Sequence, residues 1–186
     1  MKGILLKLLE DHTRRTFGAE SWLSCSVLER VDGYLWSTED YDDDLLERMG
    51  ERIRLAAGVS RRDFWVNLGL GIFPALRAHL PLALDAFASS VEFFLHLETM
   101  VHPAVHAVYP DAKPASIVAE VLDSETVQLR YHSDRGLCEL AEGLAMAVVR
   151  DFGESGVVTQ PQCRSRGDAD CILRVAYGEA GADEQG

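Results

Sequence analysis

The sequence predicts an α+β fold, helical over its first two-thirds and mixed after that. Three observations predict it. Apolar residues recur at helical spacing as far as Tyr109, short β-branched runs begin after Pro110, and one further helical segment divides those runs into two pairs. The expected order is therefore helices followed by β-β-α-β-β, closing as a four-stranded antiparallel sheet. A hydrophobic content of 47% over 186 residues suits one packed domain of ordinary size.

Ile4, Leu5, Leu8 and Leu9 open an amphipathic helix expected to run to about Phe17 and stop at Gly18. A second helix follows, with Cys25 as a core residue. Asp40 to Asp44 place acids before Leu45, Leu46, Met49, Ile53 and Ala56, which share one helical face ending at Gly58. Ser60 and Asp63 resemble a capping box for the next helix, whose apolar face is Phe64, Trp65, Leu68 and Ile72. Gly69, Gly71 and Pro74 mark a break or a close approach within it. From Leu82 to about Tyr109 the pattern predicts the longest helix, with Leu84, Phe87, Val91, Phe94 and Leu95 as its stripe; His102 extends that stripe.

Beyond Pro110, Ser116–Leu122 and Thr126–His132 read as a hairpin around Asp123-Ser124-Glu125. Leu137, Leu140, Ala141, Leu144 and Val148 mark a helix ending near Gly153. Val157–Gln162 and Cys171–Tyr177 follow as strands, joined by a polar turn over 164–170. One domain over 1–178 is expected, its helical part about 1–60 and its α+β part about 61–178, with 179–186 a disordered tail.

The formal net charge of −12 argues against nucleic acid or an anionic membrane as partner. No apolar run has the length of a membrane span, and the N-terminus is too short and too charged for a signal peptide, so a cytoplasmic location is expected. In a reducing compartment Cys25, Cys138, Cys163 and Cys171 are expected as thiols or metal ligands.

Two constellations carry chemistry. In a strand, Tyr131, Ser133 and Arg135 share a face while His132 and Asp134 point away. Two hydroxyls and a guanidinium on one patch suit a carboxylate or a phosphate. The other is His102. A lone histidine on an apolar face is more often a core residue, and His102 with His106 could also offer a two-histidine metal edge. Pro103 disfavours helical geometry at His102, so a local break is expected there.

The start Met1-Lys2-Gly3-Ile4, the segment Met100-Val101-His102-Pro103-Ala104-Val105, Tyr109-Pro110, and Tyr131-x-Ser133-x-Arg135 followed by Gly136-Leu137 resemble the H-NOX family. These are haem-based gas sensors related to the sensor domain of soluble guanylate cyclase, and the resemblance runs from Met1 to about Tyr177. It implies haem b bound between a helical and a mixed subdomain. It makes His102 the proximal iron ligand, Tyr131, Ser133 and Arg135 the clamp on the haem propionates, and Pro114 a residue packing on the macrocycle. In relatives that hold oxygen, a tyrosine nine residues after the first tyrosine of the motif donates to the bound gas; here that position is Leu140, and Ile72 on the other distal wall is equally unable to donate. Bound dioxygen needs a donor and nitric oxide does not, so nitric oxide is the expected signal, with carbon monoxide a further ligand.

Some bacterial relatives hold zinc with three cysteines and a histidine. Cys138, Cys163 and Cys171 match the cysteines, but Gln160 stands where the histidine is expected. His132, a water or another side chain would then have to complete the shell; a thiol–disulfide switch or plain core packing are the alternatives. No phosphate loop, nucleophile elbow or catalytic carboxylate pair is present, so a non-catalytic binding module is expected, signalling to a separate histidine kinase or cyclic-di-GMP enzyme. A haem redox enzyme and a zinc or thiol redox sensor are the alternative classes.

Overall fold

The computed structural model describes residues 2–31, 34–79 and 86–178. Met1, Leu82, Leu84 and the tail over 179–186 lie outside the described residues.

Helix α1 (Ile4–Thr16) buries Leu6, Leu8, Leu9 and His12 and ends at Phe17, with Gly18 at φ 90° turning the chain. Helix α2 (Ala19–Leu28) buries Trp22 and Cys25. Helix α3 (Leu45–Ala57) ends on Gly58 in the left-handed region; the Gly58 N–H donates to the Leu55 carbonyl and the Val59 N–H to that of Arg54. Helix α4 spans Arg61–His79, and the Ser60 hydroxyl accepts from the Asp63 N–H at 3.1 Å while donating to the Asp63 carboxylate at 2.7 Å.

Helix α4 runs unbroken through Gly69, Gly71 and Pro74, so the two glycines serve close approach and not a break. A Cβ on Gly69 would lie 2.7 Å from the Leu144 nitrogen, and one on Gly71 would collide with the His12 ring. The partner at the Gly69 crossing is α7 (Cys138–Asp151), where a Cβ on Gly143 would overlap the Val66 carbonyl. Two small residues thus let the α4 and α7 backbones touch. Beside that contact, the Glu142 carboxylate, almost wholly buried, holds the Arg62 guanidinium through both oxygens.

The long helix expected over 82–109 is not formed. Ser89 caps a fresh start by accepting from the Glu92 N–H, and α5 covers only Ser90–Leu95. A π turn follows at Leu97–Val101, then α6 at His102–Val108 with Pro103 in its first turn. The break displaces Leu95 from the expected stripe to an exposed position, while Phe87, Phe94 and Val101 remain buried.

Strands β1 (Ser116–Asp123), β2 (Thr126–His132), β3 (Gly156–Gln162) and β4 (Cys171–Tyr177) form one antiparallel sheet in the order β1-β2-β4-β3. Val127, Leu129 and Tyr131 alternate inward along β2, opposite Val175, Leu173 and Cys171 of β4. Two apolar clusters result. One joins this face to α5, α7 and the π turn; the other joins α1, α2 and α3 to Phe64, Trp65, Leu68 and Ile72 of α4 and to Leu137 and Leu140. Among the described residues no helix is long and apolar enough to cross a membrane.

Candidate functional site

A cavity of about 250 Å³ opens where the two clusters meet. An adjoining one of about 220 Å³ shares His102, Leu76, Val105, Pro114, Ile117, Ala141 and Leu144 with it. Together they are in the size range of small-molecule and cofactor sites, about 300–1,000 Å³.

His102, Tyr131, Ser133, Arg135, Pro114 and Leu140, separated by up to 38 residues in sequence, all line the larger cavity. Strand β2 ends at His132, so Ser133 and Arg135 follow in the turn, yet the three residues still face one side. The Ser133 hydroxyl accepts from the Arg135 N–H at 3.3 Å, which holds that turn in shape. His132 and Asp134 are exposed.

Arg135 is held on two sides, donating to the Lys113 carbonyl at 2.9 Å and to the Asp43 carboxylate at 3.2 Å. Its Nε is buried without an acceptor. Such an orphaned donor is costly unless a ligand supplies an oxygen. Burial pushes the Tyr131 phenol up to about 12, moderated by hydrogen bonds to the Ser133 side chain and the Leu137 backbone. Tyr131 therefore remains a protonated donor at any physiological pH.

His102 begins α6 where the π turn ends, with a side chain 13% exposed. The turn arises because Val101 reaches five residues back to the His96 carbonyl. The Glu98 carboxylate lies 3.3 Å from Nδ1 of His102, and the same oxygen accepts the Ile117 N–H at 2.5 Å. With Nδ1 facing the carboxylate, Nε2 is the atom left to ligate. Glu98 was absent from the sequence reading, although its spacing four residues before His102 is the signal that finds it.

Ile72 does not line the cavity; it is buried in the N-terminal cluster, and Leu76, one turn further, takes that wall with Leu5, Leu140 and Leu144. His79 also lines the cavity. Its Nδ1–H donates to the Ala75 carbonyl at 2.7 Å, since a carbonyl only accepts. An apolar slot with a free imidazole nitrogen in one wall and an unsatisfied guanidinium at its edge fits haem, whose propionates would meet Tyr131, Ser133 and Arg135 and whose iron would take Nε2 of His102.

Cys138, Cys163 and Cys171 are buried with their sulfur atoms all within 4.8 Å of one another; Cys138 and Cys163 are 3.5 Å apart. His132 is not among them, and Gln160 lies beside Cys138. Burial pushes the Cys138 thiol up. Burial also opposes ionisation of Cys163, but the Ser165 hydroxyl and backbone together with the two neighbouring thiols outweigh it and bring this thiol below its ordinary value. Cys25 is an isolated core residue in α2, as expected.

The fold is similar to that of an H-NOX protein from S. oneidensis in the Fe(II)NO ligation state, with a TM-score of 0.88 and 23% identity over 96% of this chain and 99% of that one. An Fe(II) unliganded H-NOX protein from K. algicida has the same TM-score of 0.88 at 19% identity, covering 99% of this chain and 100% of that one. The S. oneidensis H-NOX domain in the Fe(II)CO ligation state gives 0.82 at 22% identity, with 96% and 99% covered. No curated protein matches the chain. The family model HNOB, described as haem-NO-binding, matches residues 2–160. The chain thus belongs to the haem-NO-binding, or H-NOX, family of haem-based gas sensors.

Proposed function

We propose that this chain is a non-catalytic, cytoplasmic haem b sensor, selective for nitric oxide over oxygen, that signals to a separate effector protein through changes at the bond between iron and His102. Residues 1–178 form the sensor unit. One observation carries the reading: a single cavity is lined by His102 and by the Tyr131, Ser133 and Arg135 clamp, while Leu5, Leu76, Leu140 and Leu144 on its walls offer no hydrogen-bond donor. Haem supplies a ferrous iron able to take a diatomic gas. Leu140 withholds the donor that dioxygen requires. Carbon monoxide binds the same way, as the ligation states of the S. oneidensis proteins support.

His102 stands between a π turn and a short helix, a place where one residue can rotate without unwinding a long element. Release of His102 changes how α6 sits against the rest, and a bond held in only one arrangement supplies the differential affinity such a switch needs. The acidic surface suits a protein effector, a histidine kinase or a cyclic-di-GMP enzyme, and not nucleic acid. The test is the absorption spectrum of the reduced, haem-loaded protein in air and under nitric oxide, with His102→Ala beside it. The expected result is ferrous, unliganded haem in air, a shift with nitric oxide, and loss of the proximal signature in the variant. A stable oxygen complex overturns the selectivity, and failure to take up haem overturns the reading.

A second reading rests on the three converging thiols. Cys138, Cys163 and Cys171 would hold zinc with a fourth donor from water or a neighbouring side chain, or act as a thiol switch. Metal analysis of the purified protein, with and without Cys163→Ser, decides between metal and free thiols.

A further inference from the structure

We propose that Glu98 is a positioning residue that joins the proximal imidazole of His102 to the edge of the sheet, and that it sets the strength of the iron–histidine bond. This rests on the reading of His102 as the iron ligand.

The geometry begins at the sheet. Strand β1 is the first in the order β1-β2-β4-β3, so one side of it pairs with β2 and, among the described residues, the other has no strand beside it. The Ile117 N–H is satisfied by a carboxylate oxygen of Glu98 at 2.5 Å. That oxygen is the one 3.3 Å from Nδ1 of His102. One atom thereby accepts from an edge-strand amide and lies beside Nδ1 of the proximal histidine.

The chemistry follows from that shared oxygen. A carboxylate only accepts, so its partner nitrogen on His102 carries the proton and Nε2 keeps its lone pair. A ligating imidazole whose other N–H faces a carboxylate is oriented and made more basic, which strengthens its bond to the metal. The π turn over Leu97–Val101 matters here, because it brings Glu98 and His102 within reach while holding both against β1. Pro114 and Ile117 line the cavity beside them, so movement of His102 is felt at the start of β1 through Glu98 and not only through α6.

The carboxylate has two consequences for signalling. It resists release of His102, so more nitric oxide or a longer exposure is needed than for a chain without it. It also makes β1 a second recipient of the motion.

The test compares wild type, Glu98→Gln and Glu98→Ala in two states. In the ferrous, haem-loaded protein, resonance Raman is expected to show the iron–histidine stretch at lower frequency in both variants, with haem lost about 10- to 100-fold faster in Glu98→Ala. Glu98→Gln retains an acceptor for the Ile117 N–H, so it separates loss of charge from loss of the strand contact. In the haem-free protein, nitrogen-15 NMR at a pH where the ring is neutral should find His102 as the Nδ1–H tautomer in wild type and not in Glu98→Ala. An unchanged stretch and unchanged haem loss in both variants overturn the proposal. If no variant takes up haem, the proposed function fails and the tautomer alone decides: Nε2–H in wild type overturns the role of Glu98, and Nδ1–H lost in Glu98→Ala supports it.

Discussion

Tyr131 shows how a single side chain takes its character from its surroundings. It sits on β2 directly across from Cys171 of β4, under α7, and burial holds its phenol at about 12. An unfolded tyrosine ionises near 10, so as pH climbs past that value the unfolded chain releases a proton that the folded chain keeps. Stability from this group is intact below about pH 10 and is lost as pH rises toward 12, by roughly 2–3 kcal/mol in all. Denaturation of the haem-free protein between pH 9 and 12 reads this, and Tyr131→Phe should flatten the curve. At this scale much of the site was legible. Tyr131, Ser133 and Arg135, grouped by strand alternation, do line one cavity, although the strand ends at His132; His102 was singled out by its resemblance. Ile72 lies in the N-terminal cluster while Leu76, one turn on, lines the cavity, because periodicity identifies a face but not where along the helix a cavity opens. Glu98 escaped because a carboxylate near a histidine gains meaning only once the π turn and β1 hold both.

At the scale of elements, most boundaries follow from local chemistry. Gly18, Gly58 and Gly153 stop helices where they stand, and Asp123-Ser124-Glu125 turns the hairpin. The stretch from Leu82 to Tyr109 defeated the same reasoning. Its apolar spacing is nearly continuous, but the Ser89 cap and the five-residue reach of Val101 divide it, and hydrophobic periodicity reports neither. In α4 the glycines left a break or a close approach open, and Gly69 and Gly71 are close approaches. The α4–α7 crossing makes the sharpest prediction. A methyl group on Gly143 meets backbone and not a movable side chain, so Gly143→Ala should destabilise by about 1–3 kcal/mol, read as a lower urea midpoint with an unchanged slope. The neighbouring Arg62–Glu142 pair ties the same two helices together.

The whole molecule is two apolar clusters with a cavity at their junction. An open cavity leaves its lining without dispersion partners, and an orphaned guanidinium nitrogen adds to that cost. A ligand that binds the folded chain alone stabilises it by mass action, about 2.7 kcal/mol at one hundred times its dissociation constant. For a chain of this length the melting temperature should then rise by roughly 5–10 °C on loading haem, and calorimetry with and without haem checks it. His102→Ala should reduce the increment without abolishing it, since the clamp and the apolar walls remain.

That cavity also bears on supply. Partly unfolded chains are continually removed in cells, and a difference of one or two kcal/mol changes steady-state abundance several-fold. If haem fills this cavity, as proposed, the chain is made at one rate but kept in proportion to the cofactor available. The gas signal is read by molecules that have already passed a haem census, so a cell short of haem or iron would possess fewer detectors and would not carry a stock of blind ones.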